Sequence, residues 1–184
     1  MAPGVPLHPL APEAFAPYGR VIECGLGEIV PINAGTCERH HALADIGHAE
    51  GRTPILSIFR AEPRALPMRV AMMERHPLGS QAFVPMRRTD GGAIEAWIAV
   101  VAPDEGGRPG APVAFHCRGD QGVSYAPNVW HHPLIALRAR SDFLVADSRG
   151  DAPNLEEADY PEPWTLAEPS TLAEPWTLNA PGLA

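Results

Sequence analysis

Proline and glycine punctuate this chain every few residues, 22 and 17 of them among 184. Proline removes a backbone donor and fixes φ, and glycine costs a helix about 1 kcal/mol relative to alanine, so long regular helices are disfavoured. What lies between the breaks is short and rich in β-branched and aromatic residues: 55–59, 81–85, 93–101, 113–116, 122–125, 129–136 and 142–146. Short strands spaced by turn signals predict an all-β sandwich or barrel with few short helices. One helical start is expected at 11–18, where Pro12 fits a first-turn position.

The size suits one domain, and a body of about 150 residues buries roughly 68–70% of its unfolded surface without needing staples. No run approaches the ~20 apolar residues of a membrane span, and the first twenty residues lack a basic leader with an apolar block. No membrane partner and a cytoplasmic location are therefore expected. Cys24, Cys37 and Cys117 share no short spacing, which fits neither a disulfide framework nor a zinc site.

Charge is uneven. All 14 basic side chains lie within the first 149 residues and all are arginine, while the last 35 residues hold seven acids and no base. No basic stripe exists to displace phosphate counterions, so nucleic acid is an unsuitable partner. The absence of lysine removes Schiff-base chemistry, a pyridoxal phosphate anchor and the P-loop lysine. An anionic substrate must then be held by arginine, backbone amides or a metal ion.

Residues 162–179 read EPWTLA, EPSTLA, EPWTLN. Three proline-bearing hexads make at most one turn of a solenoid and pair poorly as strands. Residues 1–157 are expected to form the domain, and 158–184 an acidic extension, flexible or draped on the surface.

Polar, chemically able side chains concentrate in three stretches. In the first, Glu74 and His76 are two apart and share a face if extended. Pro77 and Gly79 allow a turn, and Gln81 and Phe83 share a face of the next strand. In the second, from Asp120 to Leu134, alternation puts Trp130 and His132 on one face, near Tyr125, and His131 on the other. In the third, Asn33, Arg39 and His41 form an odd-numbered set, with Arg39 able to clamp a carboxylate bidentately.

The first two stretches resemble the motif pair of a cupin barrel, H-x-H-x4-E followed by P-x-G-x-x-H. Glu74, His76 and Gln81 occupy the first spacing, and Pro127, Val129 and His132 the second. Glu74, His76 and His132 thus become candidate ligands of a divalent first-row ion such as nickel, zinc or manganese, with Gln81 a possible fourth and no organic cofactor. A metal-free binding module and another metal-dependent cupin enzyme both remain open on these residues.

Longer segments narrow the choice. ERHPLGSQAFVPM at 74–86, AFHCRGDQGVSYAPNVWHHPL at 114–134, SIFRAEPRALP at 57–67, the segment 32–45 and DFLVADSRG with Asn154 at 142–154 resemble ureidoglycolate lyases of allantoin breakdown. The resemblance spans roughly residues 7–157. It implies a cupin-type jelly roll, a cytosolic homodimer, and cleavage of ureidoglycolate into glyoxylate and urea. His76, His132 and Glu74 are then the expected acid–base residues. Asn33, Arg39, His41, Gln81, Phe83, Tyr125 and Trp130 are expected to contact substrate.

Overall fold

The computed structural model of the chain describes residues 2–168. The later hexads, 169–184, lie outside the described residues.

Two sheets face each other. The first is ordered β1 (Leu7–Pro9), β9 (Val113–Cys117), β8 (Trp97–Ala102), β11 (Trp130–His131), β6 (Met68–Arg75) and β14 (Glu156–Leu166), with β12 (Ile135–Ala136) also pairing β8. The second runs β2 (Gly19–Ile22), β10 (Gly122–Tyr125), β7 (Gln81–Arg88), β13 (Ser141–Arg149) and β5 (Thr53–Ala61). Pairing is antiparallel except between β1 and β9. A separate hairpin joins β3 (Glu28–Ile32) to β4 (Cys37–His41). The described residues hold one short α-helix, α1 (Pro12–Phe15), with Pro12 in its first turn as the sequence predicts. The curled, mostly antiparallel sheets are those of a cupin-type jelly roll, as expected.

Alternation along β8 explains the core. Trp97, Ala99 and Val101 point between the sheets and pack with Phe115, Phe83, Tyr125, Phe143 and Val145. Ile98, Val100 and Ala102 point the other way, onto Val70, Met73, Trp130 and Leu166. All six residues of β8 are buried, which is why this strand reads as a continuous apolar run rather than an alternating one.

The structure differs from the sequence reading in three places. The run 129–136 splits into β11 and β12, because Pro133 has no N–H for the ladder. β8 begins only at Trp97, four residues after the expected start of its run. The chain also does not leave the body at residue 157. β14 pairs with β6 through Glu156–Asp159 and again through Trp164–Leu166, and Leu166 is fully buried. The register shift between these segments spans Pro161 and Pro163, so the prolines are absorbed in an irregularity rather than ending the strand.

Candidate active site

Strand β6 carries Glu74 into register with His131 of β11, and His131 is also paired with Val101 of β8. Val101 faces the inter-sheet core. Cross-strand partners share a face, so His131 faces inward too, and Glu74 with it. His76 follows just past the end of β6, and after the turn at 77–79 the chain returns as β7 with Gln81 in its first position. Gln81 belongs to the second sheet, yet its amide lies 3.2 Å from His131 Nε2. The two sheets therefore meet at this point.

Both imidazoles are oriented from behind. His76 Nδ1 lies 2.6 Å from the Asn154 carbonyl and His131 Nδ1 lies 2.9 Å from the Val129 carbonyl. A carbonyl can only accept, so each Nδ1 carries a proton, and the uncharged His131 keeps its lone pair on Nε2. His76 Nε2 is buried and has no hydrogen-bond partner among the described residues. Glu74 Oε1 stands 3.6 Å from His131 Nε2. Asn154 also fixes the turn itself, because its Oδ1 accepts the Leu78 N–H at 2.6 Å. Tyr125 closes the inner side, its ring stacked on His131 at 4.3 Å between centroids.

Burial sets the protonation states. It pushes the Glu74 carboxyl above its ordinary range, with the facing His76 acting against this and Glu157 adding to it. It drives His131 down to about 3, with His76 and His132 adding to the fall and the bond to Val129 opposing it. His131 is thus a neutral ligand or acceptor at any physiological pH.

One ligand atom from each of Glu74, His76 and His131 lies within 4.8 Å of the other two. Two imidazole nitrogens backed by carbonyl acceptors, a carboxylate and an adjacent amide suit a divalent first-row ion. The donor set therefore fits the metal expected from sequence, with one change of residue.

That change is a correction. His131, not His132, stands in the cluster, and Trp130 is not on its side. Asn128 adopts φ +67°, so the segment after Pro127 starts as a left-handed turn and the cupin spacing counted from Pro127 does not carry through it. Trp130 pairs with Ala102 and packs in the second core, where Asp104 accepts its indole N–H and Arg75 stacks on it at 4.3 Å. His132 bonds its own neighbour, Pro133, and feels Arg64, while burial lowers its pKa.

The remaining expected residues divide cleanly. Gln81, Phe83 and Tyr125 are buried at or beside the cluster. Asn33, at the hairpin turn, and Arg39 and His41, on β4, are exposed and make no hydrogen bond or ion pair with it. The sequence reading missed His131, and it quoted Asn154 for the family resemblance without giving it a role. The proline–asparagine pair before β11, a turn signal, was the available hint for the first. Asn154 acts through its carbonyl and across 78 residues, for which no local signal exists.

Comparison with known proteins identifies the family. The family model described as ureidoglycolate lyase matches residues 2–167. The chain is 51% identical over 163 residues to a ureidoglycolate lyase of Agrobacterium fabrum, covering 88% of this chain and 95% of the relative. A second, from Rhizobium etli, is 50% identical over the same length, with the same coverage. A third, from Burkholderia cepacia, is 49% identical over 158 residues, covering 85% of this chain and 86% of the relative. The chain belongs to the ureidoglycolate lyase family.

Proposed function

We propose that the protein cleaves (S)-ureidoglycolate to glyoxylate and urea, in purine-nitrogen breakdown, at the cluster of Glu74, His76 and His131. The convergence of these three side chains, with both imidazoles pinned through Nδ1, carries the reading.

The substrate is a carbinolamine: one carbon bears a hydroxyl, a carboxylate and a ureido nitrogen. The hydroxyl loses its proton, the carbon–oxygen bond becomes a carbonyl, and the carbon–nitrogen bond breaks with the nitrogen taking a proton. No water is consumed, so the reaction is an elimination. One proton is lost and one gained, so a single group can carry it.

Glu74 suits that task. Its raised pKa brings the protonated form closer to working pH, where an acid–base group contributes about 10²–10⁴-fold. Glu74, His76 and His131, with the Gln81 amide oxygen, would hold a divalent ion, and a carboxylate with one oxygen engaged keeps the other for proton transfer. Such an ion supplies Lewis acidity toward the hydroxyl and positive charge for the substrate carboxylate. Two arginines flanking the site are already committed, Arg75 to Asp104 and Glu156, and Arg52 to Ser148 and Ala152. Tyr125 and Phe83 keep water from the inner wall.

A homodimer in the cytosol completes the reading. The outer face of the five-stranded sheet supports it, with Leu56 67% and Ile58 53% exposed beside Met86, an apolar group of the kind that marks a contact surface. The three cysteines are free thiols, as a reducing compartment requires.

The decisive assay follows glyoxylate and urea from purified protein, with and without chelator. Equal release of both, lost on chelation and restored by a divalent ion, is expected. Ammonia in place of urea would make the chain an amidohydrolase.

A further inference from the structure

On β13, Phe143 and Val145 point into the core between the sheets, and Asp147 follows them at the same two-residue interval. β13 pairs with β7 as Val145 opposite Phe83 and Ala146 opposite Ala82. One residue further, that register puts Asp147 opposite Gln81. Gln81 is itself paired with Tyr125 of β10 on its other side. An inward row thus runs Tyr125, Gln81, Asp147 across three strands, and Gln81 touches His131 of the opposite sheet. Asp147 Oδ1 is buried and has no hydrogen-bond partner among the described residues. Its chain neighbour Ser148, which points the other way, takes the Arg52 guanidinium.

A buried carboxylate oxygen is unfavourable without a donor, so its geometry suits a partner that brings N–H or O–H groups. Among the parts of ureidoglycolate, the hydroxyl and carboxylate suit the imidazole–carboxylate cluster. The ureido group alone offers several N–H donors.

We propose that Asp147 is the residue that binds the ureido end of the substrate, accepting its N–H groups. Substrate then lies along the row, hydroxyl and carboxylate toward Glu74, His76 and His131, and urea toward Asp147. The inference rests on the lyase reading above. It also gives the site its selectivity, because a site built around a substrate's N–H donors rejects analogues that lack them.

The test compares wild type with Asp147→Asn, which keeps the side-chain shape, and Asp147→Ala. Inhibition of ureidoglycolate turnover is measured with urea, held well below denaturing concentrations, and with oxalate, which mimics the other end. Both variants should weaken urea inhibition and raise KM by about tenfold or more. Oxalate inhibition, melting temperature and bound-metal content should stay as in wild type. Unchanged urea inhibition, or equal weakening of urea and oxalate, would overturn the assignment, the latter by placing Asp147 among groups that hold the fold or the ion. Wild-type protein without turnover would bring down the lyase reading and this inference together, a result distinct from the other two because both require wild-type turnover.

Discussion

At the residue scale, the two adjacent histidines carry the sharpest contrast. His131 is held by Val129 behind, Gln81 and Glu74 in front, and Tyr125 alongside. The His132 ring, one residue on, bonds its neighbour's carbonyl and reaches none of these groups among the described residues. His131→Ala should lower kcat by about 10²-fold or more, the low end for losing a group at the reacting centre. His132→Ala should change kcat by less than about threefold, with its effect confined to melting temperature, as for a buried residue remote from the chemistry. Steady-state kinetics beside melting curves separates the two, and equal activity losses with folding intact would refute the assignment. The cupin spacing counted from Pro127 selects the wrong member of this pair, although the alternation itself holds, with Trp130 and His131 on opposite faces. A single positive φ at Asn128 resets the count, and a residue in αL is invisible to any pattern of apolar and polar positions. Glu74, His76 and Gln81 were legible because only the turn at 77–79 separates them and each lies at a strand end.

At the element scale, legibility follows how much of a strand's signal is local. β7, β10 and β13 stand out because each is a short apolar run bounded by turn residues. β14 does not. It is acidic, carries Pro161 and Pro163, and is a strand only because β6 supplies partners on either side of its irregularity. Its last residue, Leu166, is fully buried against Val70, Met73 and Trp130. Leu166→Ala should therefore cost about 2–5 kcal/mol, the transfer energy of the lost methyls plus the cavity left behind. Urea unfolding with the m-value monitored measures it. A loss below about 0.5 kcal/mol, the usual size of a surface substitution, would mean that β14 is not part of the cooperative core. The same strand bears on the site, since Glu157 pairs directly with Glu74 and helps raise its pKa.

At the scale of the whole molecule, the site and the stability of the fold are linked through protons. For Glu74, whose folded pKa lies above the ordinary value of 4.5, the contribution to stability is full below that value and is lost as pH rises through the raised one. For His131, lowered from 6.5 to about 3, the contribution is full above 6.5 and is lost as pH falls toward 3. As pH rises, the fold therefore bears a growing cost of ionising Glu74 beside the uncharged His131. A divalent ion binds the deprotonated carboxylate and the neutral imidazoles together, which offsets this cost where the ligands have lost their protons and not in acid. Saturating nickel, zinc or manganese should raise the melting temperature at about pH 8, by the equivalent of about 2.7 kcal/mol at one hundred times Kd. The increment should shrink as pH falls and vanish at about pH 4, where protons outcompete the ion for Glu74. In His131→Gln it should be small at every pH, because a neutral amide replaces an imidazole ligand. Calorimetric melts across this range, with and without ion, measure it. An increment of equal size at pH 8 and pH 4, or one retained in His131→Gln, would place the ion elsewhere on the protein.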